Sequence, residues 1–433
     1  MEFEVKKIPG SKVELIITLS VDEWNKFISE TLKKISAELK VDGFRPGAVL
    51  PREVIEREVG SAAILQEAAE SAIRKTYPEV VVKNDIQAIG SPKVEIVKMS
   101  EGNPFIFKIE VSVLPDVELP DYRAIAQEIS QQRKEVKAEE KEIDDSIEWL
   151  RKSRAKLKVA NRSAQKGDLI EIDFEGYLNG QLIDELKSKN HPMVLGENRL
   201  VRGFEEHLIG LKENEEKEFS LLFPEDYYSQ ELRGQLVNFK VKVKSVQERE
   251  LPELNDDFAR SLGKFDNLSD LRNKISSNLK IEKEEKEKER IRSLIIKEIA
   301  QAAKMELPEV LVKSETERMV EELKGNLKKM GMEFEKYLKE IGKGKDALER
   351  EWKSKAEERI RVALCLGEIA RREKIEVKED EIESKINELL RPYQNISEAE
   401  KSISAERLRE YSRELIRNQK VFELLEKVKS STK

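Results

Sequence analysis

The sequence predicts a multidomain α+β protein, with a small α+β domain at the N-terminus, a sheet-rich domain in the middle and helices in the C-terminal part. The chain has 433 residues, too many for one core when a domain holds about 150 residues. Short runs in which apolar and polar residues alternate, as in strands, occur before about residue 115 and again between residues 167 and 248. Beyond residue 251 almost all residues are helix formers. We therefore expect domains at residues 1–115, 157–248 and 249–433, with a linker strand and helix at residues 116–156.

The charge balance and the residue types exclude several function classes. The chain carries 80 Lys and Arg against 87 Asp and Glu, a net charge of −7, whereas dedicated DNA-binding proteins usually carry a basic surplus. Its one cysteine, Cys365, lies among apolar residues and is expected to be a small buried hydrophobe. No signal-peptide pattern begins the sequence, and no run of ~18 apolar residues could span a membrane. We expect a cytoplasmic protein that contacts neither DNA nor membrane.

The first region predicts a sheet covered by helices. Residues 12–19 alternate as a strand, and Ser20 with Glu23 forms the capping box that begins a helix. That helix carries an apolar stripe at helical spacing, formed by Trp24, Phe27, Ile28, Thr31, Ile35 and Leu39. Pro51 suits the first position of a short helix, and a longer helix follows from residue 61. Two further strands, KVEIVKM and PFIFKIEVSVL, are joined by a turn that contains a glycine.

The segment GFRPGAVLPRE, residues 43–53, lies between the first two predicted helices and holds an unusual pair of residues. The glycines and the proline of GFRPG favour a tight bend, and a bend normally exposes small polar residues. Here Phe44 and Arg45 occupy the bend. The plain interpretation is a helix–helix turn with an incidentally exposed ring. The alternative is a ring and a guanidinium that are presented to a partner.

The middle region predicts a compact sheet domain after a connector. The connector holds a proline-containing extended stretch and a charged helix with Ile143, Ile147 and Leu150 on one side. GDLIEIDFEGYLNGQLID alternates as a strand and breaks at Asn179–Gly180, a strong hairpin signal. VNFKVKVKSV is another alternating strand, whose apolar face consists of Val237, Phe239, Val241 and Val243.

The middle region holds no arrangement typical of nucleophilic, metal or phosphate chemistry. It has no Ser–His–Asp order, no metal-ligand spacing and no phosphate-binding glycine loop, so no cofactor or metal is expected. We expect the two histidines, His191 and His207, to be surface or hydrogen-bonded residues. What remains is a set of aromatic and aliphatic residues on strands and turns: Phe174, Ile183, Val201, Phe204, Tyr227 and Phe239. The plain interpretation of this set is the core of a small domain.

The C-terminal region predicts helices separated by short breaks. A charge run from residue 278 gains an apolar face toward its end. This face consists of Ile291, Ile295 and Ile299. Pro308 begins another helix, and breaks follow at residues 342–346 and 375–380. The last helix is marked by Leu415, Phe422, Leu425 and Val428.

The middle region resembles an FKBP-type peptidyl-prolyl isomerase domain. The resemblance rests on GDLIEIDFEGYLNGQLID, LGENRLVRGFEEHLIGL, FPEDY and VNFKVKVKSV, in this order and spacing. It implies a half-barrel sheet wrapped around a helix, with a pocket between them that binds a proline side chain. The implied pocket residues are Phe174 as one wall, Ile183, Asp184 as the carboxylate after the second strand, Val201 at the edge, Phe204 on the floor, Tyr227 at the mouth and Phe239 at the back. Departures from the family pattern at residues 183–186 and at His191, which is aromatic in relatives, predict a modest rate.

A resemblance to the bacterial trigger factor family spans essentially the whole chain. It rests on DGFRPGAVLPREVIE, RSAQKGD, ELPELNDDFARSLG, LPEVLVKSETERMVEELKGNLKKMGM and KAEERIRVALCLGEIARREKIEV. The resemblance implies a ribosome-associated chaperone that holds nascent and unfolded polypeptides open in a cradle of C-terminal helical arms. It implies that Gly43, Phe44, Arg45 and Gly47 contact a large-subunit protein and rRNA beside the exit tunnel. It also implies a weak homodimer away from the ribosome.

Adaptable apolar side chains in the helices are candidates for contact with unfolded chains. These candidates are Met305, Met319, Met330 and Met332, with Leu311, Phe334 and Tyr337. The sequence leaves open which of them face the cradle and which face the helical bundle.

Functions of different classes remain open at this point. The protein is either chiefly a chaperone whose isomerase activity is secondary, or chiefly an enzyme that accelerates proline-limited folding. We favour the chaperone because most of the chain lies outside the isomerase module. A further alternative is a ribosome-independent cytoplasmic isomerase and holdase.

Overall fold

The chain folds into two compact units. The computed structural model describes residues 1–41, 44, 49–227, 229, 231–391 and 404–427. Unit one is built from Met1–Arg133 with Lys288–Lys433, and unit two from Lys134–Glu287. None of the helices in the described ranges is long and apolar enough to cross a membrane. The domain boundaries near residues 115, 156 and 248 stay predictions.

Each unit contains one antiparallel sheet. In the described residues the strands are β1 (Glu2–Ile8), β2 (Lys12–Leu19), β3 (Ala88–Lys98), β4 (Phe105–Val113), β5 (Lys156–Val159), β6 (Leu169–Leu178), β7 (Gln181–Val194), β8 (Glu216–Leu222) and β9 (Leu236–Glu250). In unit one the order is β1–β2–β4–β3. In unit two the order is β5–β9–β6–β7, and β8 also pairs with β9.

Helices follow the predicted breaks closely. Over the same described ranges they are α1 (Val21–Glu38), α2 (Arg52–Val59), α3 (Ser61–Lys83), α4 (Tyr122–Ser130), α5 (Glu140–Ser153), α6 (Asp256–Leu262), α7 (Leu268–Ala302), α8 (Glu309–Lys329), α9 (Phe334–Glu340), α10 (Lys345–Arg372), α11 (Glu379–Leu390) and α12 (Ala405–Glu426). The breaks predicted at residues 342–346 and 375–380 are confirmed. Helix α4 was not predicted; it begins after Asp121, whose carboxylate accepts the backbone N–H of Ala124 at 3.0 Å. Val428 lies outside the described residues.

Alternating side chains of β2 and β4 form the core of the N-terminal sheet under α1 and α3. The predicted face of β2 is confirmed, since Val13, Leu15, Ile17 and Leu19 are all buried. Trp24 of α1 stacks on Phe105 of β4 with ring centres 4.4 Å apart. The capping box of Ser20 and Glu23 is present as predicted. The mostly charged sequence of β1 does not predict a strand. It forms one because its backbone pairs with β2 along its whole length.

A second core in unit one joins residues from both ends of the chain. Ala126 and Ile129 of α4 pack with Ile295 and Ile299 of α7, which lie on the apolar face predicted for that helix. Cys365 of α10 is buried in the same core, and burial raises the pKa of its thiol to about 11. The small buried hydrophobe predicted for this cysteine is confirmed.

The sheet of unit two is organised by the predicted hairpin. Asn179 and Gly180 have φ angles of 50° and 81°, the positive values that a tight two-residue turn between twisted strands requires. The predicted apolar face of β9 is buried, namely Val237, Phe239, Val241 and Val243. Ile143 and Ile147 of α5 pack with α6 and the start of α7 in a smaller cluster. The helix expected against the sheet is a short 3₁₀ turn, Glu205–His207.

An ion pair between the partly exposed Arg162 and the buried Asp168 holds the turn that leads into β6. The Arg162 guanidinium donates to both oxygens of the Asp168 carboxylate, at 2.6 and 3.0 Å, and the backbone N–H of Gln165 donates to it at 2.8 Å. Burial raises the pKa of Asp168, but these hydrogen bonds outweigh it and leave the pKa below its ordinary value. The backbone of Asp168 in turn accepts the N–H of Leu195 at 3.0 Å, so the turn also supports the end of β7.

Replacing Asp168 by Asn is expected to destabilise unit two by about 1–3 kcal/mol at neutral pH, because the partner charge of Arg162 loses its carboxylate. Since folding lowers the pKa of Asp168, its contribution is complete above the ordinary aspartate value of about 3.9 and is lost as the pH falls below it. Thermal unfolding of wild type and D168N between about pH 7 and pH 3 measures this. The difference in midpoint should shrink in acid.

The control for this experiment is Asp257→Asn, which removes an exposed carboxylate that pairs with Arg260 at 2.8 Å. Exposed pairs contribute little, so its midpoint should follow wild type at every pH. A difference between wild type and D168N that stays constant in acid would contradict the pairing.

Candidate functional site

Three aromatic rings from different strands of unit two contact the ring of Phe204. The ring centre of Phe204 lies 5.1 Å from that of Phe239, 5.3 Å from Phe219 and 5.8 Å from Phe174. The rings stand at 71° to 89° to one another in these pairs, the edge-to-face arrangement that aromatic quadrupoles favour. Phe204 precedes the 3₁₀ turn, while the other rings come from β6, β8 and β9. We call these four residues the aromatic cluster.

The FPEDY segment adds a further layer to the aromatic cluster. Phe223 stacks on Phe239 with ring centres 6.2 Å apart, and Tyr227 meets Phe223 edge-on at 4.7 Å. Tyr227 is partly buried against the same core. The Arg233 guanidinium donates to the backbone carbonyl of Tyr227 at 2.6 Å. This segment therefore brings a tyrosine to the margin of the aromatic cluster.

The other sequence-predicted pocket residues lie in different surroundings. Ile183 and Val201 are partly buried and pack against the core that contains the aromatic cluster. Asp184 lies within β7 and is exposed. The structure thus brings Phe174, Ile183, Val201, Phe204, Tyr227 and Phe239 onto one core and leaves the carboxylate of Asp184 at the surface.

A bulge in β7 adds a core residue that sequence reasoning missed. Glu175 pairs with Lys187 but Gly176 pairs with Ile183, so the residues between them bulge. Leu186 is buried there, and its Cβ lies 2.7 Å from where a Cβ on Gly176 would stand. Gly176 is therefore required by close packing. Phe219 and Phe223 were also missed, although the alternation of EKEFSLLF could have indicated them.

Both histidines of the chain contact the aromatic cluster. The His191 ring meets Phe174 edge-on with centres 5.6 Å apart, and the His207 ring stacks on Phe219 at 4.3 Å. His191 occupies β7, next to the strand that carries Phe174. Each imidazole is partly buried. Two polar rings therefore flank the aromatic cluster.

A buried carboxylate holds the loop before Phe204. Glu205 is 3% exposed. Its two oxygens accept the backbone N–H of Gly196 at 2.6 Å and that of Arg199 at 2.8 Å. Because Glu205 follows Phe204 directly, the same turn carries the central ring and anchors the loop that leads to Val201. Among the described residues, no group of three or more His, Cys, Asp or Glu side chains is placed to hold a metal ion.

The predicted docking segment in unit one is described only in part. Gly43, Arg45 and Gly47 lie outside the described residues. Phe44 is 40% exposed, and its backbone N–H donates to the carbonyl of Val41 at 3.1 Å. Residues on both sides of the segment pack on one small cluster, whose buried members are Ile35, Leu50, Ile55 and Ile64 and whose partly buried members are Leu32, Leu39, Val41 and Val59.

A groove of about 850 Å³ lies between α8, α10 and α12 of unit one. Its apolar lining is formed by Met319, Leu323, Trp352, Val362, Ala363 and Leu366, and its polar lining by Arg318, Glu322, Asn326, Lys355, Glu358, Arg359 and Asn418. The side-chain oxygen of Asn418 is buried and accepts no hydrogen bond from the described residues. The groove thus offers apolar surface and a charged rim.

The candidate client-contact residues are divided between core and surface. Met319 lines the groove, and Met305 packs on the core of α4 and α7. Met330, at the end of α8, is 75% exposed. The remaining candidates, Met332, Leu311, Phe334 and Tyr337, are partly buried.

Three protein-family models match successive parts of the chain. The family model described as bacterial trigger factor protein matches residues 1–150, and that of the trigger factor C-terminus matches residues 267–427. The model of FKBP-type peptidyl-prolyl cis-trans isomerases matches residues 160–244.

Relatives match over nearly their whole length. Trigger factor of Caldicellulosiruptor saccharolyticus is 34% identical over 393 residues, which cover 91% of this chain and 89% of the relative. Trigger factor of Halalkalibacterium halodurans is 31% identical over 402 residues, which cover 92% of each. A solved structure of a trigger factor chaperone shares the fold, with a TM-score of 0.57 and 23% identity over 99% of this chain and 100% of that one. The chain therefore belongs to the bacterial trigger factor family, and its middle module is a peptidyl-prolyl cis-trans isomerase domain of the FKBP type.

Proposed function

We propose that the protein is a ribosome-associated chaperone that holds unfolded polypeptides in the groove of unit one and isomerises X–Pro bonds at the aromatic cluster of unit two. The observation that carries this proposal is the convergence of Phe174, Phe219 and Phe239 on Phe204. It forms an apolar site within a module of the isomerase family. In this proposal holding is the main function and isomerisation the secondary one, because the groove lies outside the isomerase module.

The aromatic cluster suits amide rotation without a nucleophile. Rotation about an X–Pro bond meets a barrier of ~18–20 kcal/mol, because twisting breaks the resonance of the amide. The twisted amide is less delocalised than the planar one, so a dry apolar pocket favours it relative to water. Phe204 forms the floor for the proline ring, with Phe174 and Val201 beside it and Phe239 behind. Ile183 and Tyr227 complete the wall, and the exposed Asp184 places a carboxylate beside the bound segment.

The groove suits an extended polypeptide of varied sequence. Its apolar lining accepts side chains of several shapes, since Met319 is flexible and polarisable. The charged rim keeps the exposed apolar surface in solution. These features serve holding rather than selective recognition.

We assign ribosome docking to the bend at residues 43–47, of which the structure describes Phe44. Its exposed ring supplies apolar area for burial against a partner. In this proposal the segment around it, with Gly43, Arg45 and Gly47, contacts a large-subunit protein and rRNA beside the exit tunnel in the cytoplasm. The guanidinium of Arg45 supplies a charge-assisted bond to a carboxylate or phosphate. Away from the ribosome, a weak homodimer shields the same surfaces.

Replacing Phe44 by Ala is expected to weaken ribosome binding about tenfold or more, because aromatic anchors carry much of the energy of an interface. Co-sedimentation with ribosomes at two salt concentrations measures the affinity. Val82→Ala removes apolar area from an 80% exposed residue at the end of α3 and serves as the control that should bind as wild type. Undiminished sedimentation of F44A would remove the docking function from this segment.

Replacing Leu323 by Gln is expected to raise severalfold the concentration that suppresses aggregation of an unfolded, proline-free client, because it puts a polar group on the groove lining. Light scattering of the refolding client measures this. Ile281→Gln, at an exposed site on α7, is the matched control. If both variants protect the client as well as wild type does, the groove is not the holding site.

Replacing Glu205 by Gln is expected to lower kcat/KM for a proline peptide about tenfold, because an amide group cannot accept both backbone N–H groups of the loop before Phe204. Glu206→Gln changes the exposed neighbour and should leave kcat/KM unchanged. Near-UV circular dichroism reports whether the aromatic cluster is still assembled. Wild-type kcat/KM in E205Q would show that the loop needs no carboxylate anchor.

A further inference from the structure

Ser36 is a polar residue in a place where the helix would favour an apolar one. It lies in the interior of α1 and is 4% exposed. A buried hydroxyl lowers stability unless it is hydrogen-bonded, and serine is not a favoured residue inside a helix. Helix packing alone does not explain this serine.

The Ser36 hydroxyl fixes the chain at Leu50, just after the bend that carries Phe44. Its Oγ accepts the backbone N–H of Leu50 at 2.7 Å, and the bond is buried. The Leu50 side chain is itself 6% exposed and packs with Ile35, the neighbour of Ser36, and with Ile55 of α2. Both the backbone and the side chain of Leu50 are thereby fixed against α1.

A second contact, at the protein surface, fixes the chain at Arg52, two residues after Leu50. The Arg52 guanidinium holds both oxygens of the Glu101 carboxylate, each at 2.6 Å, in the turn between β3 and β4. It also donates to Glu56 at 2.6 Å. On the other side of the segment, Val41 packs on the same cluster as Leu50 and accepts the N–H of Phe44. The chain is therefore held on both sides of Phe44.

We propose that Ser36 is a positioning residue for ribosome docking. It does not touch the ribosome; it fixes Leu50 and so the place from which the segment that carries Phe44 is presented. Holding a binding element in place before association reduces the ordering that binding would otherwise require. This proposal rests on the docking function proposed for Phe44. Arg52 acts in the same way, with less effect because its ion pair is exposed.

The test measures the affinity of the full chain for ribosomes in Ser36→Ala and Ser29→Ala. Ser29 is the matched control, since it lies on α1, is exposed and uses its hydroxyl only on the α1 backbone carbonyl of Asn25. We expect S36A to bind about tenfold more weakly, the effect of one buried hydrogen bond, and S29A to bind as wild type. Proton exchange at the Leu50 amide should be faster in S36A alone.

A second pair of variants covers the case in which S36A disturbs α1. Arg52→Gln should weaken binding about threefold, and Arg57→Gln, which removes an exposed pair with Glu58, should not. In a background with both Phe44→Ala and Arg45→Ala, neither S36A nor R52Q should weaken binding further, because both act only through the docking side chains that this background removes. A residue that merely stabilised the domain would weaken binding in either background.

The outcomes separate the two proposals. If F44A weakens binding while S36A and R52Q bind as wild type, the positioning role is overturned and docking through Phe44 stands. Additive losses in the background that lacks both Phe44 and Arg45 also overturn it. If F44A binds as wild type, the docking function itself fails.

Discussion

Unit one depends on the packing of α4 against α7, α10 and α12. Residues 134–287 separate α4 from the second half of α7 in the chain, and closing so long a loop has an entropic cost that only a well-packed core can offset. Ala126 and Ile129 meet Ile295 and Ile299 there, and all four are buried. The N-terminal sheet, the segment with Phe44 and the helices that form the groove all belong to one compact unit.

In the proposed isomerase site, two consecutive residues supply the central ring and the support of the neighbouring loop. Phe204 supplies the ring on which three other rings converge, and Glu205, the next residue, ties down the preceding loop through two backbone N–H groups. A carboxylate suits this task because it accepts both bonds at once and is shielded from water. The reaction needs a preorganised apolar surface, since its barrier comes from amide resonance rather than from a bond that must be broken.

The proposed holding groove and the proposed isomerase site lie in different units of one chain. A linked pair of modules raises the local concentration of a bound client at the second site, so weak contacts at each suffice for useful occupancy. The mixed lining of the groove suits such weak contacts with many sequences.

Local sequence patterns determined the elements whose stability depends on near neighbours in the chain. The alternation of β2 and β9, the capping box at Ser20, the turn at Asn179–Gly180 and the breaks between the C-terminal helices were all predicted, because their causes lie within about four residues. The family resemblance then indicated six residues of unit two that pack on one core. Tertiary structure alone decided the rest. Strand β1 forms by pairing with β2. The bulge that buries Leu186 depends on the space over Gly176. The hydroxyl of Ser36 accepts the backbone N–H of Leu50, fourteen residues further along the chain. Each of these depends on a residue that is distant in the chain or on the space left by packing, which no local pattern records.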